Sequence, residues 1–311
     1  SLFMKIFNII KIIILIIVIQ SCSNNDDTNT NILNENLNIG HTTIVFYDNI
    51  RDRNIETQIY YPSATLGDNT NISPGNYPVI IFGHGFLMGW ESYQNYWEEL
   101  VPNGYIICFP TTEMGLTPSH EDFGEDLKFL AAQMQNQSED ENSIFHNSIL
   151  PKTAIMGHSM GGGASFLASE NNSMINTMVN FASAETMPSA ISSAFNVTIP
   201  SLIFSGKNDC VAPTLENQDI MYNNLASQCK TQIKIIDGNH CNFANSNFNC
   251  DLGESFCSSN PSISREQQQQ ITFDFLKLWL EYTLYNNQSS LDTFNNQLQT
   301  STLINFTQFC D

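Results

Sequence analysis

Positive charge is scarce in this sequence. Its 311 residues carry 11 Lys and Arg against 31 Asp and Glu, a formal net charge of -20. A surface of that sign repels polyphosphate and anionic headgroups, which excludes nucleic acid as a partner and leaves neutral or cationic ligands. No C-x-x-C pair occurs, so structural zinc has no ligand pattern to build on, and neither a metal nor any other cofactor is expected. Long apolar runs are missing too. The unbroken stretch from Ile12 to Ile19 has eight residues, against the roughly 20 that a membrane span needs. What is present is core material: hydrophobic residues make up 41% and aromatic residues 11% of the chain, with only 14% charged. That composition excludes a disordered or collagen-like chain and predicts a globular fold.

The apolar stretch follows a basic flank, Lys5 to Lys11, and ends in Ile19-Gln20-Ser21-Cys22. This pattern predicts a lipoprotein-type signal peptide over residues 1–21, with Cys22 lipidated at the start of the mature chain; a secretory signal cut near Ser21 or Ser23 is the alternative. Losing the two leader lysines leaves 9 cations against 31 acids, a mature charge of -22. Residues 22–38 are polar and Asn-rich and read as a disordered tether. Residues 39–311 read as one domain ending in a polar C-terminal tail. The expected location is outside the cytoplasm, lipid-anchored at the outer membrane or cell surface or secreted. Membrane contact would run only through the anchor, and the protein would be a monomer.

Cysteine usage points to the same compartment. Cys108 sits in the apolar run Y-I-I-C-F-P and reads as a buried free thiol. Cys210, Cys229, Cys241, Cys250, Cys257 and Cys310 cluster in the last third of the chain, where six thiols allow 15 connectivities. The expected pairs are Cys210 with Cys229 and Cys241 with Cys250.

Strand and helix signals alternate along the domain. Thr42 to Tyr47 and Glu56 to Tyr61 have the period of a hairpin. The short apolar runs Pro78 to Phe82, Tyr105 to Phe109, Thr153 to Gly157, Thr177 to Phe181, Ser201 to Ser205 and Thr231 to Ile236 suit strands buried on both faces. Helical stretches lie between them, at about 92–102, 121–134, 162–170 and 215–227, and a last one at 265–285 starts behind Ser264 as N-cap. The fold class is therefore α/β: a mostly parallel central sheet with antiparallel N-terminal strands and helices on both faces.

The run Thr153 to Gly157 leads into G-H-S-M-G-G-G, Gly157 to Gly163, and then a helix. Strand, G-x-S-x-G, helix is the context of a nucleophile elbow, in which Ser159 occupies a turn too tight for side chains at the flanking glycines. Serine needs a base to accept its proton. Of the six histidines only His240 follows the elbow, as the chain order serine, acid, histidine requires. Asp209, on the loop after Ser201 to Ser205, is the preferred acid; Asp237, three residues before His240, is the competitor and is better placed for a turn. Backbone N-H groups of Met160, after the serine, and Phe86, in the loop F-G-H-G-F, would line an oxyanion hole, with His84 packing rather than reacting.

With these pieces the chain resembles α/β-hydrolases of the dienelactone-hydrolase-like and cutinase-like group, which includes bacterial polyester (PET) hydrolases. It is more distantly similar to plant chlorophyllase and platelet-activating-factor acetylhydrolase. The matching motifs are H-G-F at 84–86, G-H-S-M-G-G-G at 157–163, V-T-I-P-S-L-I-F at 197–204, N-D-C-V-A-P at 208–213 and His240. The resemblance implies a serine esterase with the triad Ser159, Asp209 and His240, amides of Phe86 and Met160 in the oxyanion hole, and the Phe86 ring beside the acyl group. It implies an exported carboxylic-ester hydrolase acting through an acyl-enzyme on a small-molecule or polymeric ester. The same residues admit an acyltransferase or a peptidase, and the fold admits a non-catalytic surface-binding lipoprotein. Two departures stand out. The nucleophile is serine where dienelactone hydrolases proper have cysteine. The tryptophan platform of the polyester enzymes is also missing from residues 182–190, where Trp90 is the candidate substitute for substrate binding.

Overall fold

The computed structural model describes residues 37–257 and 263–310. The expected leader, Cys22 and the tether up to residue 36 lie outside the described residues. Strand β1 begins at Asn38, where the tether was expected to end. Among the described residues no helix is long and apolar enough to cross a membrane.

The chain forms one ten-stranded sheet. In sequence its strands are β1 (Asn38–Asp48), β2 (Arg53–Ser63), β3 (Gly67–Asp68), β4 (Tyr77–Gly83), β5 (Ile106–Pro110), β6 (Ile149–His158), β7 (Thr177–Phe181), β8 (Ser201–Gly206), β9 (Cys229–Ile235) and β10 (Ile304–Cys310). The order across the sheet is β10-β9-β8-β7-β6-β4-β5-β2-β1-β3. The six central strands, β5 through β9 with β4 between β5 and β6, run parallel. The β1–β2 hairpin extends them antiparallel at one edge and β10 at the other. This is the α/β-hydrolase architecture expected from the sequence. Strands β4 and β6 are direct neighbours because β5 was laid on the far side of β4, so the chain reverses direction across the sheet at this seam. Parallel sheets open their binding crevices at such reversals.

Helices cover both faces: α1 (Gln94–Leu100), α2 (His120–Glu139), α3 (Met160–Ser169), α4 (Ala190–Ser193), α5 (Gln218–Asn224), α6 (Phe248–Glu254), α7 (Arg265–Tyr285) and α8 (Gln288–Thr300). The alternation of the strands explains the two-sided core. Ile80 and Phe82 of β4 and Met156 of β6 point to one face, where Tyr96 and Leu100 of α1 and Phe275, Leu276 and Trp279 of α7 meet them. Val79 and Ile81 of β4 and Ile155 of β6 point to the other, against Phe123, Leu127 and Leu130 of α2 and Ala164 of α3. Each fully buried Leu, Ile or Phe contributes roughly 1.5–3 kcal/mol relative to exposure. Ser264 starts α7 with a capping box completed by Gln267, as its place before the helical pattern predicted. Cys108 is a buried free thiol whose burial pushes its pKa up, so it is inert at neutral pH.

Two expectations are corrected here. The polar end of the chain is not a tail: residues 288–300 form α8, which buries Phe294 and Leu298, and residues 304–310 pair with β9. Cys210 does not bond Cys229. The register of β10 puts Cys310 directly opposite Cys229, and those two form a disulfide, while Cys210 bonds Cys257; Cys241 and Cys250 form the third. Three disulfides are the chemistry of an oxidising, extracellular compartment.

The Cys229–Cys310 bond closes a loop of 81 residues, worth about 4 kcal/mol in the chain-entropy account. Replacing both cysteines by serine is expected to lower the melting temperature by roughly 8 °C in calorimetry. An unchanged melting temperature would mean that this cross-link adds nothing to the stability of the fold.

Candidate active site

The site lies at the C-terminal ends of the parallel strands. Strand β6 ends at His158, and Ser159 turns the chain into α3 with φ 54° and ψ −119°. A non-glycine residue in that region is strained and persists only where its surroundings hold it. Here the Ser159 amide donates to the Phe181 carbonyl, and the Ser159 carbonyl accepts from the amides of Gly163 and Ala184, all at 3.0 Å. The glycines around it serve close approach. A Cβ on Gly157 would lie 2.2 Å from the Gly161 oxygen, and one on Gly161 would lie 2.1 Å from the Gly83 oxygen. Strands β4 and β6 and the first turn of α3 therefore pass each other at backbone contact.

His240 and Asp209 arrive on neighbouring loops, after β9 and β8. His240 Nδ1-H donates to Asp209 Oδ2 at 2.8 Å, with the two side chains 2% and 0% exposed. The other carboxylate oxygen, Oδ1, accepts from the amides of Val211 (2.9 Å) and Ala212 (2.8 Å). Asp209 is thus fully engaged and can only present Oδ2 to the ring. That bond fixes the tautomer with the lone pair on Nε2. Neither His240 Nε2 nor Ser159 Oγ makes a hydrogen bond among the described residues. Asp237, the competing acid, occupies a turn at φ 59° just after β9.

The seam between β4 and β6 is wired by residues that the sequence did not single out. His158, buried beneath the elbow, donates Nε2-H to the His240 carbonyl (3.0 Å), and its ring lies 4.8 Å from that of His240. Its Nδ1 therefore accepts, from the Tyr93 hydroxyl at 3.0 Å; Tyr93 in turn accepts the Gly85 amide at 2.8 Å. Burial first, and then the neighbouring His240, hold His158 well below its ordinary pKa, which keeps it neutral in this chain of bonds. One path thus ties the loop after β4, the elbow and the His240 loop together. Gln268 of α7 takes both backbone groups of Asn239, accepting from its amide and donating to its carbonyl at 2.9 Å each. Arg265 donates to the Cys241 and Ala244 carbonyls. A signal for Gln268 does exist: it falls on the stripe continued by Ile271, Thr272, Phe275 and Leu276, where a polar residue must find a partner. Tyr93 has no such signal.

The loop after β4 carries Phe86, which is exposed and whose amide makes no hydrogen bond among the described residues. The Met160 amide opens α3, where first-turn N-H groups have no partner within the helix. His84 packs, buried between the carbonyls of Gly85 (2.9 Å) and Thr112 (2.8 Å). Trp90 is engaged elsewhere: its indole N-H donates to the Tyr60 hydroxyl at 3.1 Å, and it makes no ring contact with the two histidines among the described residues. In residues 182–190 an exposed Met187 is the large apolar side chain on show. A separate polar depression of about 470 Å³, lined by Gln135, Thr153 and Asn176, lies at the opposite, N-terminal end of β6 and contains none of these groups.

A family model described as PET hydrolase-like matches residues 52–259, a span that includes Phe86, Ser159, Asp209 and His240. No curated protein matches the chain.

Backbone atoms cannot yield to a new Cβ at Gly157 or Gly161, whereas a Cβ on Gly115 would meet nothing within 4 Å. Gly157→Ala and Gly161→Ala are expected to lower the melting temperature by about 5 °C or more, or to prevent soluble expression, with Gly115→Ala close to wild type. Equal melting temperatures for all three would refute the close approach.

Proposed function

This chain belongs to the PET hydrolase-like family, and from that premise we propose that it is an ester hydrolase working through an acyl-enzyme on Ser159. Ser159 Oγ attacks the ester carbonyl. His240 Nε2 accepts its proton and returns it to the departing alcohol, while Asp209 holds the ring and stabilises its cation. The amides of Phe86 and Met160 receive the negative charge that develops on the carbonyl oxygen. Water then repeats the sequence on the acyl-enzyme and releases the acid. The observation that carries this reading is the 2.8 Å bond from His240 Nδ1 to Asp209 Oδ2, held next to the strained turn that presents Ser159.

The substrate is read as a neutral, apolar ester. Phe86, Leu116, Met187 and Leu215, on the connections after β4, β5, β7 and β8, and Phe248, at the start of α6 after β9, are all exposed. These segments leave the same C-terminal end of the parallel strands that carries Ser159, and we read their side chains as an apolar rim to the site. The formal charge of -20 disfavours anionic esters by long-range repulsion. The same rim supports a polymeric ester, which needs no closed pocket, as an extension of this reading. Export belongs to the proposal as well; it rests on the three disulfides and on the leader pattern ending at Cys22.

Hydrolysis of p-nitrophenyl acetate, butyrate, octanoate and dodecanoate by the mature protein and its Ser159→Ala variant tests the proposal. Wild type is expected to turn over at least the short esters, and the variant to lose about 10⁴-fold or more in kcat. Equal rates in the two proteins would move the nucleophile away from Ser159.

A further inference from the structure

A carboxylate that the proposed mechanism does not use sits directly behind its base. Glu254 ends α6, the short helix carried by the segment between Cys241 and Cys257. Its Oε1 accepts the amides of His240 (2.8 Å) and Cys241 (3.3 Å), and its Oε2 accepts the side-chain amide of Asn239 (2.7 Å). Three consecutive residues, with His240 in the middle, thus hang on one side chain. Every one of these donors is neutral. The guanidinium in the neighbourhood, Arg265, is spent on Asp251 (2.8 Å) and on the carbonyls of Cys241 and Ala244. Asp209 bonds the imidazole itself, with its other oxygen filled by the amides of Val211 and Ala212. His158, the remaining titratable neighbour of the ring, is held neutral. A positive charge appearing on His240 therefore has two carboxylates near it, Asp209 on its ring and Glu254 on its backbone amide, and Glu254 makes no salt bridge among the described residues.

We infer that Glu254 is a positioning residue for the reaction. It holds the backbone on both sides of His240 so that Nε2 is presented to Ser159, and it places a negative charge behind the imidazolium formed when Ser159 gives up its proton. The inference rests on the reading of His240 as the base. It gives the cysteine-bracketed segment a role: the Cys241–Cys250 and Cys210–Cys257 bonds fasten the two ends of the segment that delivers Glu254. Burial raises the Glu254 pKa above its ordinary value, and the hydrogen bonds from the His240 and Cys241 amides oppose that rise by favouring the charged form.

Glu254→Gln keeps the shape and one accepting oxygen but removes the charge. Two readouts are taken on the intact protein: the NMR titration of the His240 ring, assigned against His240→Gln, and the pH profile of kcat/KM on p-nitrophenyl butyrate. Loss of a nearby negative charge disfavours the imidazolium, so both the ring titration and the acid limb are expected to move down by about half a pH unit or more. kcat should fall about tenfold with KM within about twofold. An unmoved His240 titration would reduce Glu254 to a structural brace and overturn the inference. Should the Gln variant not fold, Glu254→Asp carries the test. It keeps the charge and withdraws the oxygens from the amides, so kcat falls about tenfold while the acid limb stays in place; wild-type kcat in that variant overturns the inference. The NMR titration reads His240 whether or not esters are cleaved. A wild type without esterase activity therefore counts against the proposed function, and an unmoved titration counts against Glu254.

Discussion

Backbone contact at the seam between β4, β6 and the first turn of α3 is the constraint on which the rest of the site depends. Gly83 and Gly157 face each other in register, and Gly161 closes over both with no room for a Cβ. Only this approach lets the chain leave β6 through a positive-φ serine and enter a helix within one residue. It also fixes which loops can meet. The loop after β4, carrying Phe86, and the turn after β6, carrying Ser159, become neighbours because their strands are neighbours. The loops after β8 and β9 bring Asp209 and His240 from the same end of the sheet.

Strands alone leave loops free to wander, and here the His240 loop is fastened from several directions. His158 holds its carbonyl from below, Gln268 takes the backbone of Asn239, Arg265 takes two carbonyls beyond it, and Glu254 takes the amides between. Two disulfides close the segment that supplies Glu254, and one of them reaches Cys210, next to Asp209. A site whose supporting residues are locked by packing and hydrogen bonds loses little geometry when substrate arrives. A chain with few charges makes these ties mainly from amides, carbonyls and sulfur, with Arg265 and Glu254 as the charged exceptions.

Most of the fold could be read from the sequence because its central strands are buried on both faces. Runs such as Pro78 to Phe82 and Ser201 to Ser205 have no polar alternation to obscure them, and the elbow announces itself by its glycines. Chain order singled out His240, and the structure places its ring against Asp209 rather than Asp237, which is occupied in a turn. The C-terminal elements stayed hidden for the opposite reason. Strand β10 lies at the sheet edge with one buried side chain and so has no two-sided apolar run, while the apolar stripe of α8, Leu291, Phe294 and Leu298, is set among Asn and Gln residues that read as a polar tail. Missing β10 meant missing the register that pairs Cys310 with Cys229, and the partner of Cys210 was lost with it. Trp90 looked free for substrate in sequence, yet its indole N-H is satisfied by Tyr60, a contact between segments thirty positions apart that no local pattern announces.

The central claim is that Ser159 is a nucleophile activated by His240. Reaction with a fluorophosphonate, followed by intact mass and peptide mapping, tests it most directly. The account predicts one stoichiometric adduct on Ser159, formed much more slowly when His240 is replaced by alanine. No adduct, or an adduct on another serine at an equal rate in both proteins, would contradict it.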